Sequence, residues 1–239
     1  MPGKLLCNCK SKDIFGVDAD TVHLFFKDEV IAFNGIKKAM IANKGVLTNK
    51  ISAVLFEILT EKGIPNHFVE RVDERRQLCK KTTALPLVIN VHNYATKELC
   101  RRFSFREGEK LNNSILELIY NDGKSEGMLI NNDYALALKL CTKEELSLIL
   151  QYTRNTNKVL TAVMAAAGII LARIKLGFGR DNSGTIVLND EISPDTCRLW
   201  DIKTKKKLDI DRFCYDLGQV IEAYENIYHR LENNKWVKK

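Results

Sequence analysis

The sequence contains no apolar run approaching the ~20 residues that a membrane-spanning helix needs; the longest candidate, Leu160 to Leu171, is too short. Its opening residues, Met1-Pro2-Gly3-Lys4, lack the apolar centre of a secretory signal. A cytoplasmic protein with no membrane partner is therefore expected. Paired cysteine clusters are missing as well. The seven cysteines are scattered, and only Cys7 and Cys9 lie close, as C-x-C with no second pair to complete a zinc site. Free thiols in a reducing compartment are the simpler reading. No internal repeat, low-complexity stretch or obvious linker interrupts the 239 residues. That length suits one large domain or two small ones.

What is present begins with charge. The formal net charge is +7, and the basic residues are dispersed apart from Lys203, Lys205, Lys206 and Lys207 and the tail Lys235, Lys238 and Lys239. Aromatics do not interleave with these lysines, which argues against a nucleic-acid polymer as partner. A solvated basic face accounts for the charge most simply, and a small phosphorylated ligand suits it too.

Hydrophobic periodicity points to alternating strands and helices. Lys4 to Cys9, Asp13 to Val17 and Thr21 to Phe26 read as short strands, with Lys10 and Lys12 at the first turn. Ile51, Val54, Leu55, Ile58 and Leu59 recur at helical spacing, and Gly63 then Pro65 close that helix. Phe68 to Val72, Leu78 to Thr82, Leu87 to Val91 and Ser114 to Tyr120 look like further strands. Thr142 and Glu145 form a capping box for a helix that reaches Gly168. Ile169 to Leu176 and Thr185 to Leu188 pair as a hairpin through Asn182-Ser183-Gly184. A last helix is predicted from about Asp211 to Leu231. The irregular alternation predicts a mixed α/β or α+β fold with a largely antiparallel sheet.

The most informative stretch is Asn189-Asp190-Glu191-Ile192-Ser193-Pro194-Asp195-Thr196-Cys197-Arg198-Leu199-Trp200-Asp201. Carboxylates at a strand end can hold Mg²⁺ through one or two oxygens, with phosphate completing the shell. Arg198 can fork onto a phosphate or carboxylate. On spacing alone, a surface turn tied to its own backbone is the simpler reading.

This run resembles that of the SAICAR synthetase family, clostridial members above all, and the resemblance extends through most of the chain. Lys27-Asp28, Ala32-Phe33-Asn34-Gly35 with Lys37-Lys38, Lys44-Gly45-Val46-Leu47 with Asn49, Gln77-Leu78-Cys79-Lys80-Lys81 and Asp209 to Phe213 carry it. The resemblance implies a small antiparallel, kinase-like lobe over residues 1–85 and a larger α/β lobe over 86–239, with ATP between them. It implies a ligase that joins a carboxyaminoimidazole ribonucleotide to L-aspartate through an acyl phosphate, using ATP and Mg²⁺. Relatives often associate, so a homo-oligomer is compatible with it.

Residue by residue, Lys10 and Lys12 stand at the family's phosphate-facing lysines, with Cys9 where a glycine is expected. Lys81 matches a lysine near the nucleotide, Lys175 the family lysine of its strand, Asp190 a metal-binding aspartate and Arg198 a substrate-side arginine. Val88 replaces a glutamate. In the family's Leu-x-Asp-x-Lys-x-Glu-Phe-Gly pattern, Arg173 replaces the aspartate and Gly177 the glutamate. His92 replaces an arginine, and Lys97-Glu98 replaces Gly-Ser. Asp122 is kept, and Gly127-Met128 replaces Asp-Pro.

These departures lead to a specific expectation. Lys10, Lys12, Lys81, His92, Lys97, Arg173, Lys175 and Arg198 would hold a purine-type or cyclic nucleotide in a cationic cleft, Arg173 taking the metal's place. Such a protein would lack ligase turnover and could sequester a nucleotide signal. The alternative is an active synthetase, with Lys175 catalytic and Asp190, together with Glu191 and Asp195, on one Mg²⁺. A ligase or kinase for another acceptor stands between the two. His23, His67 and His229 read as surface or packing residues, Trp200 as a packing anchor and Trp236 as part of a fraying tail.

Overall fold

The computed structural model describes residues 3–123 and 127–234, apart from the side chain of Asn34. The tail lysines and Trp236 lie outside the described residues. The chain opens with β1 (Leu5–Asn8), β2 (Lys12–Gly16) and β3 (Thr21–Phe26), close to the predicted spans. A separate hairpin follows, β4 (Glu29–Ala32) and β5 (Lys37–Met40), joined by a 3₁₀ turn at Phe33–Gly35. After helix α1 (Lys44–Glu61) come β6 (Phe68–Arg71) and β7 (Arg76–Lys80). These strands form an antiparallel sheet in the order β1-β2-β3-β7-β6.

α1 stops where the sequence says it must. Gly63 takes φ +69°, its N–H donates to Thr60, and Ile64 N–H donates to Leu59. These are the two bonds of a Schellman motif, which a residue with a Cβ forms only at a cost.

The rest of the chain builds a second sheet. Its elements are β8 (Thr82–Tyr94), α2 (Lys97–Cys100), β9 (Lys110–Tyr120), β10 (Met128–Ile130), α3 (Asn132–Ala137), α4 (Lys143–Ala166), β11 (Ile169–Asp181), β12 (Ile186–Asn189), β13 (Cys197–Asp201), α5 (Asp211–Cys214) and α6 (Val220–Glu232). The antiparallel order is β10-β9-β8-β11-β12, with β13 also on β11. The capping box of Thr142 and Glu145 opens α4 as expected.

Strand alternation divides this sheet into two faces. Ile89, Val91, Ile174, Leu176 and Leu199 point into the main core with Ile149, Leu160 and Val163 of α4, and α1 and α6 join the same core. Full burial of each aliphatic side chain contributes about 1.5–3 kcal/mol. The opposite face carries polar residues in register: Lys175 opposite Asn90, and Arg173 opposite both His92 and Arg198. This polar face positions the site.

Two expectations fail here. The final helix is not continuous from Asp211. Asp216, Gly218 and Gln219 all take positive φ, and Arg212 bonds the carbonyls of Leu217 and Gly218, which holds the chain as a loop between α5 and α6. The acidic stretch is not a surface turn either. Glu191, Ile192, Ser193 and Thr196 are buried, and its second half is strand β13.

Candidate functional site

A cleft of about 1150 Å³ lies between the first sheet and the polar face of the second. On one side is the β1–β2 hairpin. Ser11 Oγ donates to Glu191 Oε1 at 2.8 Å, and the Lys12 ammonium bonds both Asp190 and Glu191, the latter at 2.9 Å. Burial disfavours the Lys12 charge, but the two carboxylates outweigh it and hold the ammonium above its ordinary pKa. Asp190 responds in the opposite sense. Burial alone would raise it, yet Lys12 and then Lys175 bring it down to about 2. Asp190 sits at φ +79°, a left-handed conformation that aspartate tolerates better than most residues.

Lys10, Lys12, Lys81, Lys175, Asp190 and Arg198 all line this cleft, so the structure brings together six of the residues singled out in the sequence. Arg198 is already paired: Nε lies 2.8 Å from Asp211 Oδ1 on α5, and Nη1 donates to the Cys197 carbonyl. Asp209 is fully buried beside it, and burial pushes its carboxyl up to about 6 although it accepts from Leu199 N–H at 2.7 Å. Val88 and Gly177 also face the cleft. A Cβ on Gly177 would meet Asn189 Oδ1 at 2.9 Å and its carbonyl at 3.1 Å, so Asn189 fills the space a side chain would need.

Three expected residues are not on the cleft wall. His92 is fully buried, with Nε2 3.0 Å from Glu117 Oε2, and Arg102 takes the other oxygen of Glu117 at 2.7 Å. The Lys97 ammonium stacks on the Tyr215 ring, 3.7 Å from its centroid. Arg173 turns onto Glu98, with Nη1 3.2 Å from Oε2. Burial and the neighbouring Arg198 lower the Arg173 pKa to about 10. The cation that occupies the acidic turn is therefore Lys12, from the first hairpin, and not Arg173.

A buried network at the base of the cleft escaped the sequence reading. Lys44, 1% exposed at the start of α1, donates to Asp195 Oδ2 at 2.6 Å, and Tyr224 of α6 donates to Oδ1 at 2.6 Å. Lys44-Gly45 had appeared only as part of a motif. Its partners lie 151 residues downstream and beyond, where no local pattern reveals them.

Mg²⁺ accepts one or two carboxylates and fills its octahedral shell with phosphate oxygens and water. Asp190 offers one such carboxylate on the cleft wall. Among the described residues no cluster of three or more histidine, cysteine, aspartate or glutamate side chains is suited to a metal. The donor set fits an ion shared with a phosphorylated ligand, not one caged by protein groups alone.

Comparison with known proteins places this geometry in context. The profile of the SAICAR synthetase family matches residues 5–231. A phosphoribosylaminoimidazole-succinocarboxamide synthase of Clostridium novyi (strain NT) is 44% identical over 236 residues, 98% of this chain and 100% of that protein. The crystal structure of such a synthase from Ehrlichia chaffeensis superposes with a TM-score of 0.93 at 37% identity, covering 95% of this chain and 98% of that one. A SAICAR synthetase (Type-2) solved in complex with ADP gives 0.92 at 39% identity, covering 96% and 98%. This whole-length similarity to synthases overturns the expectation of a nucleotide-sequestering protein without ligase turnover. The physical reason is visible in the site. Arg173 and His92 are paired with Glu98 and Glu117, and Lys97 is held over the Tyr215 ring, so they do not convert the cleft into the metal-free cationic pocket that expectation required.

Proposed function

The chain belongs to the SAICAR synthetase family, and we propose that it is an ATP-dependent ligase joining a carboxyaminoimidazole ribonucleotide to L-aspartate. The observation that carries this reading is the 44% identity to a synthase across 236 residues. We assign residues 1–85 and 86–239 to two lobes with the nucleotide between them. Three features support the assignment. Lys10, Lys81 and Lys175 line the cleft where phosphates need compensation. Asp190 is held ionised beside Lys12 and Lys175, ready to share Mg²⁺ with the nucleotide. Arg198, fixed by Asp211, presents a cation farther along the same sheet for the anionic acceptor.

In this reading each side chain has a distinct role. Lys175 is the catalytic cation, aimed at the phosphoryl oxygens as charge develops on them. Lys12 keeps Asp190 ionised and oriented, and its position links the first hairpin to the acidic turn. The bound Mg²⁺ would neutralise charge on the β- and γ-phosphates. Lys44 and Tyr224 fix Asp195, and with it the turn, through two hydrogen bonds. His92, tied to Glu117, links β8 to β9 inside the sheet and does not act as a phosphate clamp.

The test is ADP release from purified protein with ATP, Mg²⁺, the ribonucleotide and aspartate. Turnover that requires both acceptor substrates supports the assignment. ADP formation unchanged when aspartate or the ribonucleotide is omitted, or none at all, overturns it.

A further inference from the structure

Cys7 and Cys9 flank Asn8 at the end of β1, and their Sγ atoms lie 2.8 Å apart. Among the described residues theirs is the thiol pair in contact; Cys79, Cys141 and Cys197 are buried, and Cys100 and Cys214 are half-buried elsewhere. Cys7 is exposed and Cys9 half-buried, and both line the cleft. The contact arises from irregular pairing: the β1–β2 register slips between Leu5 and Cys7, and Cys9 N–H then donates to the Lys12 carbonyl at 2.9 Å. The two sulfurs thus sit at the neck of the turn that carries Lys10, Ser11 and Lys12.

We propose that Cys7 and Cys9 form a dithiol modification site, oxidised reversibly by a small-molecule disulfide to an intramolecular bond that weakens nucleotide binding in the cleft. The sulfurs need to close by only about 0.8 Å to reach bonding distance. The exposed Cys7 thiolate attacks the small disulfide, forming a mixed disulfide and releasing one small thiolate. Cys9 then gives its proton to solvent, attacks the Cys7 sulfur and releases the second small thiol. Two protein thiols are oxidised and one external disulfide is reduced to two thiols. Burial and the adjacent Cys7 push the Cys9 thiol up to about 12, which lowers its thiolate population, and the proximity of the Cys7 sulfur offsets this in the second, intramolecular step.

The ring closed by residues two apart tightens the neck of the hairpin. Lys12 and Ser11 are anchored to Asp190 and Glu191 beyond it, so the strain falls on the contacts that shape the phosphate end of the cleft. This consequence rests on the nucleotide assignment above; the bond itself does not.

The experiment equilibrates the full chain with oxidised glutathione, alkylates free thiols and measures the mass of the peptide holding both cysteines. The expected product escapes alkylation, is about 2 Da lighter than the dithiol and reverts with dithiothreitol. Cys9→Ser traps a glutathione adduct on Cys7, and Cys7→Ser forms no internal bond. A peptide that stays dialkylated, or carries only glutathione in the unsubstituted protein, overturns the site. Calorimetry with ATP and Mg²⁺ is expected to show at least about fivefold weaker binding after oxidation, and equal affinity in both states overturns the coupling. If neither state binds ATP, the nucleotide assignment fails while the mass measurement still decides the site.

Discussion

The two ends of the polar face handle their charges differently. Near the first hairpin, Lys12 reaches across from one sheet to Asp190 and Glu191 on the turn after the other. Farther along, Arg173 pairs with Glu98, Arg198 with Asp211, and His92 with Glu117, all within the second sheet and its adjoining short helices. The first end has charges paired across the cleft, between the two sheets. The second end has charges largely satisfied by neighbours. Departures from the family pattern fall at both ends: Cys9 and Gly177 near the first, Arg173, His92 and Lys97-Glu98 at the second. The lesson is that a change of residue type at an aligned position says little until its partner is known. Arg173 illustrates it: the new guanidinium faces Glu98 and does not line the cleft.

The contrast can be broken most forcefully by removing a cation or carboxylate at the first end. Lys175→Ala and Asp190→Asn are each expected to lower kcat/KM by about 10²–10³-fold, read by ADP release, with little change in the far-ultraviolet circular dichroism. Next in size is Lys12→Met, which removes the ammonium that Asp190 and Glu191 share. It is expected to cost about 3 kcal/mol, a fall of roughly 6–12 °C in melting temperature for a chain of this length.

A smaller effect sharpens the picture of what lies behind the hairpin. His67 is buried against Phe56, their rings 5.3 Å apart. Burial, with Lys12 adding to it, depresses the imidazole pKa to about 4 from 6.5. Between those two values the unfolded chain binds the proton and the folded chain does not. Stability from this group is present above pH 6.5 and is lost as pH falls towards 4. The stability difference between the natural protein and His67→Gln, followed by denaturant titration, is expected to carry this slope; a difference flat across the window contradicts it. The smallest effect belongs to the second end. Glu98 is 48% exposed in its side chain, so Glu98→Gln is expected to change stability by less than about 1 kcal/mol in thermal melts.

Much of the fold was legible in the sequence because it is written locally. β3 spans Thr21–Phe26 as predicted, α1 ends on Gly63, and Thr142 with Glu145 caps α4. Gly184, at φ +82°, turns the β11–β12 hairpin as predicted, but β11 runs on to Asp181 and its Gly177–Arg180 part, beyond the predicted Leu176, is what pairs with β12. The β4–β5 hairpin, β10 and α3 were missed because they are short, with half-exposed residues and no sustained period. The last helix was overextended because its apolar spacing continues through Leu217, where tertiary bonds from Arg212 impose a loop. In the site, cleft-lining positions were legible for Lys10, Lys12, Lys81, Lys175, Asp190 and Arg198. The orientation of Arg173 was not. Register puts it in line with His92 and Arg198, but the side chain is claimed by Glu98, on the short α2 after β8.

The most direct test sets the two ends against each other in one experiment: calorimetric titration of ATP with Mg²⁺ into Lys12→Ala and Arg173→Met. Lys12→Ala is expected to weaken binding about tenfold or more and Arg173→Met to leave it within about twofold. The reverse order, with Arg173→Met losing the nucleotide and Lys12→Ala retaining it, would contradict the assignment of the acidic turn's cation to the first hairpin.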